Sequence, residues 1–205
     1  ATVIAWIWAR TVPSPDPAFA DKEVPIASSF LLGSKKGKEA WIEPVVNKAL
    51  KTIKYRIQRG GAKADIEKAR EGTKAGRGAH FRCLFSNTAI TPDHVKSSGS
   101  SGKMGQKLIA IVAVGKGGRI YVEPSEEHEE IALTATPKWK PETKLPDDMR
   151  AFWTPPYGLR TFGDLFTDRQ LVALNTLSDL VHEARTEIEN DAISAEISTD
   201  LLPLR

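Results

Sequence analysis

The alternation of apolar and polar positions sets out most elements of the chain. Residues 3–8 (VIAWIW) are uniformly apolar and rich in β-branched and aromatic side chains, which predicts a buried strand. Prolines at 13, 15, 17 and 25 punctuate the next stretch, and apolar character resumes over residues 26–32, predicting a second strand after a proline-rich loop. The basic turn GSKKGK follows, then strand patterns over residues 40–46 and 52–58. In the latter, Ile53, Tyr55 and Ile57 share one face while Lys54, Arg56 and Gln58 share the other, the signature of a half-buried strand with a basic outer face. Residues 62–71 are mostly helix formers with a sparse apolar side and end at Gly72, predicting a short exposed helix.

HFRCLFSNTAI, residues 80–90, reads as a short strand running into a tight polar turn. The run SSGSSGKMG, residues 97–105, offers small side chains with little to bury and predicts a flexible loop. Residues 108–114 and 119–122 flank GKGG, a hairpin signal. A phosphate-cradling role for those glycines is disfavoured, because phosphate loops lead into a helix and here a strand follows. Ser125, with Glu126 and Glu127 behind it, predicts the start of a short helix reaching about residue 135. Residues 136–160 hold five prolines and read as an extended segment lying across another surface. Thr167 and Gln170 form a capping box for the longest helix, on which Leu171, Leu174, Leu177, Val181, Ala184 and Ile188 share a face; the tail from Asp191 is less periodic. The pattern predicts an α+β fold. A β-rich, metal-free, ribbon-like portion with hairpins spans residues 1–124. Residues 125–205 supply a short helix, a proline-rich segment and a long C-terminal amphipathic helix, the two portions making one structural unit.

Composition narrows the class. With 205 residues, 40% hydrophobic and 27% charged, the chain is an ordinary globular one, and no apolar run nears the roughly 20 residues of a membrane span. The apolar N-terminal residues lack the basic flank and cleavage site of a signal peptide. A single cysteine excludes an internal disulfide and fits a reducing, cytoplasmic setting. The net charge of +3 hides an asymmetry: residues 34–107 carry 17 basic and 6 acidic side chains, whereas residues 108–205 carry 10 and 17. So basic a segment raises the expectation of a polyanionic partner, because lysine and arginine release counterions condensed on phosphates. The candidate phosphate contacts are Lys35, Lys36, Lys38, Lys51, Lys54, Arg56, Arg77, Lys103 and Lys107.

Catalytic chemistry finds little support. His80, His94, His128 and His182 accompany no serine nucleophile with an orienting acid, and His80 and Cys83, three apart in an extended strand, point to opposite faces. A structural zinc site needs four ligands in two close pairs, and one cysteine cannot supply them. WTPPY, residues 153–157, invites comparison with the DPPY motif of amino-methyltransferases, but Thr154 is a poor substitute for its acid and the segment reads as structural.

Longer phrases carry more information. IAWIWARTV, SSFLLGSKKGKEAWIEPVV, GKMGQKLIAIVAVGKGGRIYVEPSEEHE and YGLRTFGDLFTDRQLVALNTLSDLVHEAR resemble the central part of a family of large prokaryotic adenine-specific DNA methyltransferases associated with anti-phage defence. The resemblance covers residues 1 to about 192. It implies an S-adenosylmethionine motif upstream of the equivalent segment, a catalytic DPPY downstream, and a zinc ribbon built from C-P-N-P-x-C and C-x-x-C-G. At those ribbon positions this chain has SPDPAF and CLFS, so Ser14, Phe19 and Ser86 stand where cysteines are expected and only Cys83 remains. No catalytic or cofactor-binding residue carries over, and the chain by itself is not expected to methylate. The expectation is an accessory domain that contacts DNA or helps recognise the target, with DNA, flanking methyltransferase domains or defence-system proteins as partners and no membrane. Its alternative is a structural or protein-interaction module; a free-standing enzyme using Cys83 is a third, weaker reading.

Overall fold

The computed structural model describes residues 1–146, 148 and 150–195. Within them the chain is α+β, and every strand pair is antiparallel. Strands β1 (Thr2–Pro13), β2 (Glu23–Pro25), β8 (Gly105–Gly115) and β9 (Gly118–Val122) form one sheet in the order β2-β1-β8-β9. Strands β3 (Leu31–Gly33), β4 (Ala40–Asn47) and β5 (Thr52–Arg59) form a second, and the two-residue strands β6 (Phe81–Arg82) and β7 (Ala89–Ile90) a third. The helices are α1 (Lys63–Glu71), α2 (Pro92–Ser100), α3 (Glu126–Leu133) and α4 (Asp168–Ser194). The chain forms two compact units. One holds residues 1–130 and 146–160; the other holds residues 131–145 and those from 161 onward.

Two apolar cores organise the first unit. Ala9, Ile109 and Ala110 of the four-stranded sheet meet Ile42 and Tyr55 of the three-stranded sheet, with Phe30 and Ala69 of α1 closing the edge. The period-2 reading of residues 52–58 holds: Tyr55 is buried while Lys54 and Arg56 are exposed. The second core lies at the other end of β1, where Val12 and Val24 pack with Phe81, Cys83, Phe85, Ile90 and Val95 of α2.

Several expectations change in three dimensions. The leading strand is only half-buried, since Ile4 and Trp6 are each 49% exposed. Residues 26–32 do not form one strand. β2 and β3 belong to different sheets, and the crossing between them is held by buried Thr73, whose hydroxyl donates to the Pro25 carbonyl and accepts the Ala27 amide at 2.9 Å. The largest correction concerns residues 97–105. Rather than a flexible loop, residues 97–100 complete α2, which Thr91 caps by accepting the His94 amide at 3.2 Å. Ser98 is buried, and a Cβ placed on Gly99 would collide with the Tyr157 carbonyl oxygen. The run is small because the backbone of residues 155–158 lies directly against the helix, a close approach that only a side-chain-free position allows. Of the segment expected to lie across another surface, residues 155–158 pack on α2 within the first unit, while residues 136–145 belong to the second.

GKGG makes the expected hairpin, with Gly118 in the left-handed region at φ +101°. In the second unit, the Thr167 and Gln170 capping box is present and α4 runs to Ser194, past the point where its periodicity fades. Residues 137–145 lie on the start of this helix: Asn175 donates to the Trp139 carbonyl at 3.0 Å and Lys138 pairs with Asp179 at 3.1 Å. Of the stripe read from the sequence only Leu171 is buried; Leu174, Leu177, Val181 and Ile188 are exposed.

Candidate functional site

The cations predicted to meet phosphates separate into a line and two outliers. β5 is an edge strand of its sheet, and its alternation sends Lys54 and Arg56 outward. At its start, Lys51 sits at φ +50° in the β4–β5 turn; at its end, Arg59 donates to the Tyr121 carbonyl at 3.1 Å. The β3–β4 turn carrying Lys35, Lys36 and Lys38 adjoins the same end, because Gly33 approaches the Tyr121 ring. From Thr52 to Arg59 the strand rise gives about 23 Å. Lys48, in the turn and outside the period-2 pattern, extends the line at its start, whereas Arg59 has the opposite parity to Lys54 and Arg56 and turns to the Tyr121 carbonyl. Arg77, in the loop before β6, and Lys103, following α2, are exposed on separate loops.

The line is not uniformly free. Lys51 lies 3.6 Å from Asp21, which Lys22 also approaches at 3.3 Å. Lys107 is committed to Glu129 at 2.6 Å, and this carboxylate, only 9% exposed, also accepts the Leu108 amide at 3.1 Å. β9 pairs only with the C-terminal half of β8, so Glu129 satisfies a backbone donor on the part that β9 does not reach. Burial, with the Glu129 charge in support, pushes the Tyr55 phenol far above its ordinary range, which keeps it neutral. Beside Lys54 and Arg56 the cavity wall is acidic, formed by Glu123, Glu126 and Glu129. The least compensated cations are therefore Lys35, Lys36 and Lys38, which make no ion pair among the described residues.

Of the four ribbon positions, Ser14 and Cys83 touch, and Phe19 packs on the core that holds Cys83. The Ser14 hydroxyl lies 3.2 Å from the Cys83 sulfur, and the Ser86 hydroxyl pairs with the Thr88 hydroxyl at 2.9 Å. Phe19 packs on the same core, its ring stacked on Phe85 at 4.8 Å between centroids and 7° between planes. The hairpin closes through the Cys83 amide to the Thr88 carbonyl at 2.9 Å and the Asn87 amide to the Cys83 carbonyl at 2.8 Å, with Asn87 at φ +63°. Asparagine tolerates that left-handed conformation better than most side chains. Burial raises the pKa of the Cys83 thiol, but hydrogen bonds from the Ser14 and Ser86 hydroxyls and from the Ser86 and Phe85 backbone outweigh it and hold the thiol below its ordinary value.

Zinc does not fit this donor set. Structural zinc takes thiolates and imidazoles, whereas the frame offers one thiol, two neutral hydroxyls and a phenyl ring. Among the described residues no three His, Cys, Asp or Glu side chains group as ligands. S-adenosylmethionine fits no better. The glycine-rich strand-to-helix turn between parallel strands that would receive its nucleoside is not found among the described residues, whose strand pairs are all antiparallel. WTPPY forms a short 3-10 turn whose Tyr157 packs on the second core, so that ring is not free to stack on a base. Two histidines have structural partners: His94 donates from Nε2 to the Pro13 carbonyl at 2.8 Å, and His128 accepts the Trp6 indole N–H at 3.1 Å. No helix among the described residues is long and apolar enough to cross a membrane. Set against protein-family models, curated proteins and solved structures, the chain matches none of them.

Proposed function

We propose that the chain is an accessory, DNA-contacting domain of an adenine-specific DNA methyltransferase, positioning the duplex while catalysis and S-adenosylmethionine binding reside elsewhere in the parent enzyme. The observation that carries this reading is the row of cations along β5 and the β3–β4 turn, taken with the phrases resembling that family. At 3.4 Å per base pair, the roughly 23 Å of β5 spans about seven base pairs, a length suited to tracking a backbone. Contacts of this kind set orientation and register and carry no sequence information themselves. Base readout is not assigned to any residue.

The test is binding of a fluorescent duplex by anisotropy across a salt series. Five contacts, from Lys35, Lys36, Lys38, Lys54 and Arg56, give a slope of log affinity against log salt of about −4 to −5. Reversing Lys35, Lys36 and Lys38 to glutamate should remove about three of those contacts and flatten the slope by roughly 3. Affinity that is indifferent to salt, or no binding at low salt, refutes the proposal. A second reading draws on a different observation. The exposed Leu174, Leu177, Leu180, Val181 and Ile188 on α4 are the kind of face that docks another protein, and under that reading the charge reversals change nothing.

A further inference from the structure

We infer that a second copy of this chain covers the exposed face of α4, the two helices packing antiparallel as a weak homodimer. Leu174, Leu177, Val181, Ala184 and Ile188 recur in alternating steps of three and four residues, the spacing with which one helix meets another along a narrow seam. The chain itself uses little of that seam. Leu171 and Ala192 are the buried residues of α4, whereas Leu177 is 61% exposed, Val181 68% and Ile188 54%. With Leu174 and Leu180 beside them, these side chains leave on the order of 500 Å² of apolar surface uncovered, a patch of the size that marks an interaction site.

Charge and seam together select a second copy, in one orientation. Beyond Val181 the helix is acidic, with Glu183, Glu187, Glu189 and Asp191 against Arg185 alone, and Arg185 is already bonded to Glu189 at 2.8 Å. A parallel copy lays these acids side by side and sets Asp191, which continues the seam, against its own counterpart. Turned end for end, the acidic half lies instead at the start of the second helix, where the amides carry the positive end of the dipole and Lys138 and Lys140 flank the helix. The apolar steps then close on themselves. Leu174 meets Ala184 of the second copy and Leu177 meets its Val181, a larger side chain against a smaller one in each layer, about an axis level with residue 179. A surface complementary to itself is what a two-fold interface requires. Roughly 500 Å² from each copy is near the lower end for specific association, which corresponds to a Kd on the order of 10–100 μM. At the low micromolar concentrations of a melting experiment the chain is therefore a monomer. Self-association through α4 gives the protein-docking reading of that helix its partner, and it is independent of DNA contact.

Sedimentation equilibrium of the full chain, without nucleic acid and over about 2–300 μM, reads the association. The mass per particle should rise from one chain toward two across that range. The double variant Leu177→Glu, Val181→Glu should stay at one chain with an unchanged circular dichroism spectrum. Orientation is read with a short bis-maleimide on a single introduced cysteine, Cys83 being buried. In the antiparallel pair the two copies of residue 178 lie about 3 Å apart along the axis and those of residue 188 about 27 Å, so Ser178→Cys should cross-link and Ile188→Cys should not. A wild type that stays monomeric at the highest concentration overturns the homodimer and leaves the face to a different protein. Association that survives the double glutamate variant overturns it too, because the contact then lies elsewhere. Cross-linking at Ile188→Cys but not at Ser178→Cys overturns the antiparallel pairing. If the double variant does not fold, Ser178→Cys decides: a folded variant that gives no cross-linked dimer at the highest concentration refutes the pairing.

Discussion

Replacing Glu129 by alanine should destabilise the first unit far more than removing its ion-pair partner does. Glu129 performs two tasks: it accepts the amide of Leu108, a residue with no exposed surface, and it pairs with Lys107, whose side chain is 45% exposed. Leaving a buried amide without an acceptor costs about 1–3 kcal/mol. The partly exposed ion pair adds at most about 1 kcal/mol. Glu129→Ala should therefore lose roughly 1–4 kcal/mol, which for a chain of this size lowers the melting temperature by about 2–16 °C. Glu129→Gln retains an oxygen for the Leu108 amide and should lose under about 1 kcal/mol, as should Lys107→Ala. Differential scanning calorimetry and urea midpoints on the three variants give the comparison. The reasoning is refuted if Glu129→Ala melts with the wild type, or if Glu129→Gln falls as far as Glu129→Ala, since the charge rather than the buried amide would then dominate.

Gly99→Ala tests the packing of α2. Glycine to alanine inside a helix ordinarily stabilises by up to about 1 kcal/mol, but contact with the Tyr157 carbonyl should reverse the sign and cost about 1–3 kcal/mol in urea titration. Asn87→Val should cost about 1–2 kcal/mol because a β-branched side chain is forced into the left-handed region, while Asn87→Gly should be near neutral by the same titration. Because the folded Cys83 thiol lies below its ordinary value, the stability it contributes is present above the unfolded thiol pKa of about 8.5 and fades as pH falls through the folded value. Subtracting Cys83→Ala from wild-type urea stability should thus give a difference that grows from neutral to alkaline pH. On α4, Leu177→Glu should change the melting temperature by no more than about 1–2 °C, the mark of a side chain that buries little against its own chain.

What the sequence alone determined is whatever depends on neighbours a few residues apart. The alternating faces of β5, the GKGG hairpin, the Gly72 stop of α1 and the capping box of α4 all follow from backbone periodicity, turn chemistry and end-capping, which act locally. The cation row was legible for the same reason, as a basic strand face and a basic turn, although the sequence could not show that the two abut. Tertiary structure decided the rest. Ser97 to Gly102 reads as a linker until the backbone of residues 155–158 is laid against it, and then the small side chains are a packing requirement. Residues 26–32 read as one strand, yet only Leu31 and Leu32 of them pair in a sheet, and the crossing from β2 is held by Thr73 arriving from beyond α1. Lys107 counts as a phosphate contact by charge, yet a carboxylate twenty-two residues later holds it and Leu108 together. The lone cysteine is the clearest case: only the family resemblance singled out Ser14, Phe19 and Ser86 beside Cys83, whereas the contact of Ser14 with Cys83 and the packing of Phe19 on the same core join segments some seventy residues apart, which no local pattern encodes.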